Sequence, residues 1–341
     1  MTTLTSPHDL LAAIPFLIGY HPENSLVVVS LKDETVGMAM RVDYPEHLPE
    51  AAYDLLASHL LRDQSQGALI VAYVPKDRID GEDVLRELAE ALSRVDIKVQ
   101  ESICVKNGRY RSVICRDRQC CPHDGTEVPQ INSSRIALEH VFQGKPMPFP
   151  NVETLIQSLE PLPLARQTEW IAAVENFAPA ANQSQPEMTE LQISQALTLF
   201  QRDGAGAVIE LAETFDLHGG SHDRDLMARV IGRLGDIQVR DFALGCYDLQ
   251  TQESYFLMWR HLIKIAPQGY VAPIASLFGA IAYEQGDGAL AKCALDRALM
   301  DQPGYSLALL LRRVFNADWP ISSFAALRQE LHPKVCAGIF G

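Results

Sequence analysis

Two kinds of hydrophobic spacing divide this chain. As far as about residue 115 several apolar runs alternate or are apolar on both faces, whereas beyond K-P-M-P-F-P at 145–150 they recur only at helical intervals. Alternation points every second side chain to one face of a sheet, and a 3.6-residue recurrence lines one side of a helix. The two halves therefore cannot share one architecture.

The first half predicts strands near 26–31, 36–43, 68–74, 98–105 and 109–115. S-L-V-V-V-S-L and G-A-L-I-V-A-Y-V are apolar on both faces, as strands covered on both sides require. Ser6-Pro7 reads as a helix start and Gly19 as its stop, with Leu10, Leu11, Ile14, Leu17 and Ile18 at helical spacing. Further helices are expected over 49–62, 81–94 and 132–143, giving the order α-β-β-α-β-α-β-β-α. Asn107-Gly108 predicts a type I′ hairpin turn, which pairs Val105 with Tyr110 and Cys104 with Arg111. On that register Val99, Ile103, Val105, Tyr110 and Ile114 face the core. Gln100, Ser102, Cys104, Arg109, Arg111 and Cys115 take a face expected to be wet or covered by polar contacts.

The second half predicts helices near 188–202, 205–215, 222–234, 250–265, 271–285, 288–301 and 305–315, with 151–160 and 166–177 before them. Gly279, Ala291, Leu295, Ala298 and Pro303 fall at tetratricopeptide-like positions, and Gly286-Asp287 forms the intervening turn. Ala275 and Ala282 stand where such repeats carry large aromatics. The fold class is thus α/β or α+β, a mixed-sheet N-terminal domain followed by an all-helical, tetratricopeptide-like one. The boundaries expected are 1–145, a partly helical connector over 146–187, and 188–341.

The formal charge of −14, from 43 acidic and 29 basic residues, opposes binding to phosphate backbones. Arg109, Arg111, Arg116 and Arg118 are the one concentrated basic group. The N-terminus has no basic start and Asp9 interrupts its apolar stretch, so no secretory signal is read. The uncharged run 265–283 contains Pro267 and Pro273 and reads as turn plus buried helix, not a membrane span. A cytoplasmic protein with reduced cysteines is expected.

Two places carry candidate chemistry. The first is C-R-D-R-Q-C-C-P-H-D-G, which gathers Cys115, Cys120, Cys121 and His123. Thiolates and imidazole can bind metal or act as nucleophiles. Four local ligands are not available if only one of two adjacent cysteines reaches a metal, so no metal and no cofactor are expected. The second is the elbow His21, Glu23, Asn24 and Ser25, which a hairpin of the first two strands would bring to Arg41 and Asp43. Such convergent polar groups mark ligand sites. His218 and His222 are separated by Gly219-Gly220, which breaks the helix that would align them, and Ser221 reads as the next N-cap. No phosphate-cradling glycine loop and no serine-nucleophile elbow is present.

D-L-L-A-A-I-P-F-L-I-G-Y-H-P-E-N-S-L-V-V-V, the later R-V-D, and C-C-P-x-x-G at 120–125 resemble the bacterial family catalogued as domain of unknown function 4192. So do A-P-I-A-S-L-F-G-A-I-A-Y-E-Q-G-D-G-A-L-A, A-L-D-R-A-L and P-G-Y-S-L-A in the second half. The resemblance spans both halves and implies that they belong together, while implying no activity. His123 departs from the family's pattern, which weakens a zinc reading built on it. The leading expectation is a non-catalytic module that binds a protein partner or self-associates through its helical half. The alternative is an enzyme or small-ligand binder at the elbow, with the Cys115–Gly125 loop as lid or reactive thiol site.

Overall fold

The computed structural model describes residues 6–32, 35–45, 49–142, 146–179, 189–317 and 319–341. They fall into two compact units, one ending at Leu155 and the other beginning at Ile156.

The first unit opens with α1 (Pro7–Ile18), capped by Ser6, whose Oγ accepts from the Asp9 amide at 3.2 Å. Gly19, at φ 83°, ends it in the left-handed region that glycine enters without a Cβ penalty. Then follow β1 (Ser25–Lys32), β2 (Thr35–Asp43), α2 (Glu50–Arg62), β3 (Gly67–Tyr73), α3 (Glu82–Ser93), β4 (Lys98–Lys106), β5 (Arg109–Ser112) and β6 (Thr126–Glu127). They build one six-stranded sheet in the order β2-β1-β3-β4-β5-β6. Only β3 and β4 are parallel, joined by the α3 crossover, and every other neighbour is antiparallel. Asn107 and Gly108, at φ 50° and 74°, make the expected β4–β5 turn.

Both faces of the sheet are covered, which is why its central strands read as doubly apolar. Leu26, Val28, Ile70 and Ala72 pack with Tyr53, Leu56 and Leu60 of α2 and with Leu85, Leu88 and Leu92 of α3. On the other face Val27, Val29, Val71 and Ile103 are equally buried. The α1 ring of His8 lies 5.4 Å from Tyr110 on this side. Each such aliphatic side chain removed from water contributes about 1.5–3 kcal/mol.

The predicted wet face of the β4–β5 hairpin is corrected here. Cys104 and Ser102 are buried, Cys104 within the α2–α3 core, while Ile114 is exposed and lies beyond β5. That face is covered by α2 and α3, and an irregularity in pairing brings Val99 onto it as well: Ala68 faces Val99, but Leu69 faces Glu101, so Gln100 is skipped. A bulge of one residue reverses the phase of every side chain beyond it. Val99 and Cys104, five apart in sequence, therefore contribute to the same core.

A second irregularity lies between β1 and β2, where Val29 pairs with Ala39 and Leu31 with Val36. Ser30 fills it. Its Oγ accepts from the Met38 amide at 2.7 Å and donates to Asp63 Oδ2 at 2.6 Å. Lys32 Nζ reaches the other oxygen of Asp63 at 2.6 Å, tying the sheet edge to the end of α2. A short 3-10 turn and α4 (Arg135–Phe142) close the sheet portion, and α5 (Val152–Gln157) spans the boundary between units.

The second unit contains α6 (Gln167–Phe177), α7 (Glu190–His218), α8 (Arg224–Arg233), α9 (Ile237–Gly245) and α10 (Gln252–Ile265). It continues with α11 (Val271–Glu284), α12 (Gly288–Asp301), α13 (Ser306–Asn316) and α14 (Ile321–Phe340). Among the described residues no strand follows β6, as the change of period requires. Helix α6 is fixed within this unit by Trp170, whose Nε1 donates to the Ile265 carbonyl at 2.7 Å.

The helices expected over 188–202 and 205–215 are one helix. Gly204 does not break it, because it is the place where α7 meets α9: a Cβ there would stand 2.8 Å from Val239. Helices α9 and α14 were not legible as apolar stripes, and α14 carries Pro333 in its interior. Ser221 is not the cap of α8. That position belongs to Asp223, whose carboxylate accepts from the Leu226 amide at 2.9 Å. The α11–α12 pair meets where expected, with Gly279 so close that a Cβ would lie 3.1 Å from Leu295 and 3.3 Å from the Ala291 carbonyl. Among the described residues no helix is long and apolar enough to cross a membrane.

Candidate functional sites

The elbow forms as the hairpin register demands. Ser25 of β1 pairs with Asp43 of β2, and Val27 with Arg41, so Ser25, Arg41 and Asp43 share a sheet face. The Arg41 guanidinium turns back toward the strand end. Its Nη1 donates to Asp43 Oδ1, and Nη2 donates to the Glu23 carbonyl at 3.4 Å. Glu23 thus contributes its backbone rather than its carboxylate. Asn24 sits at φ 44°, and its carbonyl accepts from the Tyr44 amide at 2.8 Å, which fixes the turn. The His21 amide donates to the Phe149 carbonyl at 2.9 Å, and burial lowers the pKa of the ring, keeping it neutral.

Two atoms of this cluster stand out. Ser25 is fully buried, and its Oγ has no hydrogen-bond partner among the described residues; the same holds for the buried Nε of Arg41. Across from Ser25 on β3 lies Tyr73, which by register shares the face. Burial raises its phenol pKa, so it remains protonated. Sequence reading passed over Tyr73 because it closes an apolar run; the signal was its place at the carboxyl end of that run. The carboxyl ends of the parallel strands β3 and β4 meet here, with Tyr73 beside Val105. Open α/β sheets bind ligands at such ends.

The thiol loop follows β5 and is tied at several points. Glu101 Oε1 accepts from Ser112 Oγ at 2.6 Å, and Ser112 Oγ accepts from the Cys115 amide at 3.1 Å. The Cys121 amide donates to the Asp117 carbonyl at 2.7 Å, turning the chain back on itself. Arg109 then clamps the exit, with Nε and Nη2 each 2.7 Å from the carbonyls of Asp124 and Gly125. Gly125 is obligatory in two ways, since φ is 71° and a Cβ would stand 2.8 Å from the Tyr110 carbonyl.

The outcome is that the sulfurs of Cys115, Cys120 and Cys121 all lie within 4.8 Å of one another. Both adjacent cysteines converge, against the expectation that only one would. His123 does not join them: its side chain is 93% exposed and lies 3.9 Å from Asp124. Burial pushes the Cys121 thiol up to about 11, and its hydrogen-bonded neighbours Cys115 and Cys120 push the same way against a backbone hydrogen bond. Of the basic residues, Arg111 is paired with Glu82 at 2.6 Å and Arg109 is committed to the loop, while Arg116 and Arg118 are exposed.

The elbow and the loop are separate centres. Register places Asp43, Ser25, Tyr73, Val105, Tyr110 and Thr126 in one row across the sheet. Ser25 and Tyr110 stand three strand spacings apart in that row, about 14 Å at 4.8 Å per strand.

Fold and sites together define a mixed α/β unit, with a polar elbow around the buried Ser25 and an edge thiol loop, followed by an all-helical unit. The chain belongs to the family described as Domain of unknown function (DUF4192), whose model matches residues 7–320. No curated protein and no solved structure matches the chain.

Proposed function

We propose that this protein binds a small polar molecule at the elbow, with Ser25 and Arg41 as the recognising groups. The observation that carries the reading is the pair of buried donors, Ser25 Oγ–H and Arg41 Nε–H, on one sheet face and without partners among the described residues. A buried donor left unmatched costs about 1–3 kcal/mol. Oxygen acceptors on a ligand would satisfy these donors, and the guanidinium charge favours a carboxylate or another oxyanion. Asp43 holds the other side of the guanidinium, so Arg41 is fixed before the ligand arrives. The test is mass spectrometry of small molecules released when the purified full chain is denatured, with thermal shifts for a panel of carboxylates. Wild type is expected to retain or respond to one compound that Arg41→Met does not. Identical behaviour of the two proteins across the panel overturns the reading.

A second reading takes the helical unit as a surface for a protein partner or a second copy, with α11 and α12 as a tetratricopeptide-like pair. It is favoured by the first turns of α7, where Leu191 and Leu199 are 69% and 66% exposed and Ile193 and Leu197 also face out. Replacing Leu191 and Leu199 with Gln should then lower the sedimenting mass or abolish complex formation. All seven cysteines are free thiols, which supports placing the protein in the cytoplasm.

A further inference from the structure

We infer that Cys115, Cys120 and Cys121 form a three-thiolate binding site for Zn2+ whose fourth position is open to a ligand from solution. The inference is independent of the elbow reading and rests on convergence. All three sulfurs lie within 4.8 Å of one another. A tetrahedral zinc ion holds each thiolate at about 2.3 Å, which sets sulfurs about 3.8 Å apart. Closing the site on the ion therefore requires at most about 1 Å of movement, within reach of side-chain rotation on a half-exposed loop.

The backbone around the sulfurs is already fixed. Ser112 holds the Cys115 amide, the Cys121 amide is held by the Asp117 carbonyl, and Arg109 holds the carbonyls of Asp124 and Gly125. Little conformational entropy is then left to lose when the ion binds. A disulfide is the competing use of gathered thiols, but it joins two sulfurs and leaves the third without a role. Three convergent sulfurs match a metal donor set instead. Thiolate softness selects zinc over magnesium or calcium, which take oxygen ligands.

Among the described residues no fourth ligand joins this group. His123, nearest in sequence, points into solvent at 93% exposure. Three protein ligands with an exchangeable fourth is the arrangement of zinc sites that act on a bound molecule, while closed structural sites carry four. On binding, three thiol protons leave and the Zn(S⁻)₃ unit carries one negative charge. The exposed Cys120 places the open position at the rim of the loop.

The experiment is titration of the reduced full chain with Co2+, then with Zn2+ against a chromophoric chelator. The expected result is one equivalent bound, with sulfur-to-cobalt charge-transfer and tetrahedral ligand-field bands that zinc bleaches. Cys115→Ser, Cys120→Ser and Cys121→Ser should each weaken binding by more than the 10–100-fold that loss of an outer-shell partner costs (about that range in other sites). His123→Ala and Cys293→Ser should leave it unchanged. Alkylation of wild type with iodoacetamide, mapped by mass spectrometry, serves as a readout that needs no variant to fold. Zinc should protect Cys115, Cys120 and Cys121 together and leave the labelling of Cys293 and Cys336 unaltered. Absence of charge-transfer bands, labelling unaffected by zinc, or a Cys115–Cys120 or Cys115–Cys121 disulfide as the sole change in the aerated protein overturns the inference.

Discussion

Arg328 of α14 meets Glu284 of α11 in a two-pronged ion pair, Nε to Oε1 at 2.7 Å and Nη2 to Oε2 at 3.2 Å, with the side chains only 4% and 5% exposed. The remaining Nη1 donates to the carbonyls of Gly245 and Tyr247, and the guanidinium stacks 3.8 Å from the Tyr247 ring. One arginine thus gathers α14, α11 and the end of α9. Removing one partner leaves the other charge buried and unmatched, which costs about 3–5 kcal/mol. Glu284→Ala should therefore destabilise by about that amount in chemical denaturation. Glu284→Ala combined with Arg328→Met should recover much of the loss, because no charge then remains to be desolvated. Additive losses in this cycle would show that the two residues act separately.

The Ala291 carbonyl lies against Gly279 at the α11–α12 crossing, and Ala291 itself is fully buried. Ala291→Leu is expected to overpack the crossing and destabilise the full chain by about 1–3 kcal/mol. Lys292 on the same helix is exposed and pairs with Asp296 at the surface. Lys292→Gln should change stability by less than about 0.5 kcal/mol. Equal effects in one urea series would place Ala291 outside the contact.

Ser25 offers a contrast between stability and binding. Ser25→Ala removes a buried hydroxyl that has no partner among the described residues, so the protein without ligand should gain about 1 kcal/mol. The same change should weaken the ligand-induced thermal shift expected of wild type. A loss of stability in the ligand-free protein would mean that the hydroxyl is satisfied within the fold.

Asp63 predicts a pH dependence. Burial alone would raise its pKa, but hydrogen bonds from Lys32 and Ser30, the Lys32 charge and the Met38 amide together hold it below the usual aspartate value. A depressed carboxylate pKa means that the folded state binds the proton more weakly than the unfolded chain. Its stabilising contribution is full above the unfolded aspartate range and is lost as pH falls through the folded value. Denaturation midpoints measured from neutral pH into the carboxylate range should fall more steeply for wild type than for Asp63→Asn. Parallel profiles would remove Asp63 as the source.

Much of the fold was readable because its signals are local. Doubly apolar S-L-V-V-V-S-L could only be a covered strand, and Asn107-Gly108 specified both a turn and the pairing of Cys104 with Arg111. The elbow was readable for the same reason: a hairpin register already carries Ser25 to Asp43. The hairpin's faces were not, because the bulge at Gln100 depends on how β3 aligns with β4. Nor was the length of α7, which spacing divided into 188–202 and 205–215. Gly204 is explained only by Val239 pressing against it from another helix.

The sequence by itself determined most of the strands and helices, though not α9, α14 or the unbroken length of α7, and that sheet gives way to helices after 145–150. These follow from spacing and from backbone preferences acting over a few residues. Tertiary structure alone decided that Ser25 and Arg41 present buried donors without partners among the described residues, and that Cys115, Cys120 and Cys121 converge while His123 turns away. Those facts depend on hydrogen bonds that fold a loop back on itself and on desolvation by elements distant in the chain. Residue spacing along one strand or loop carries no record of either.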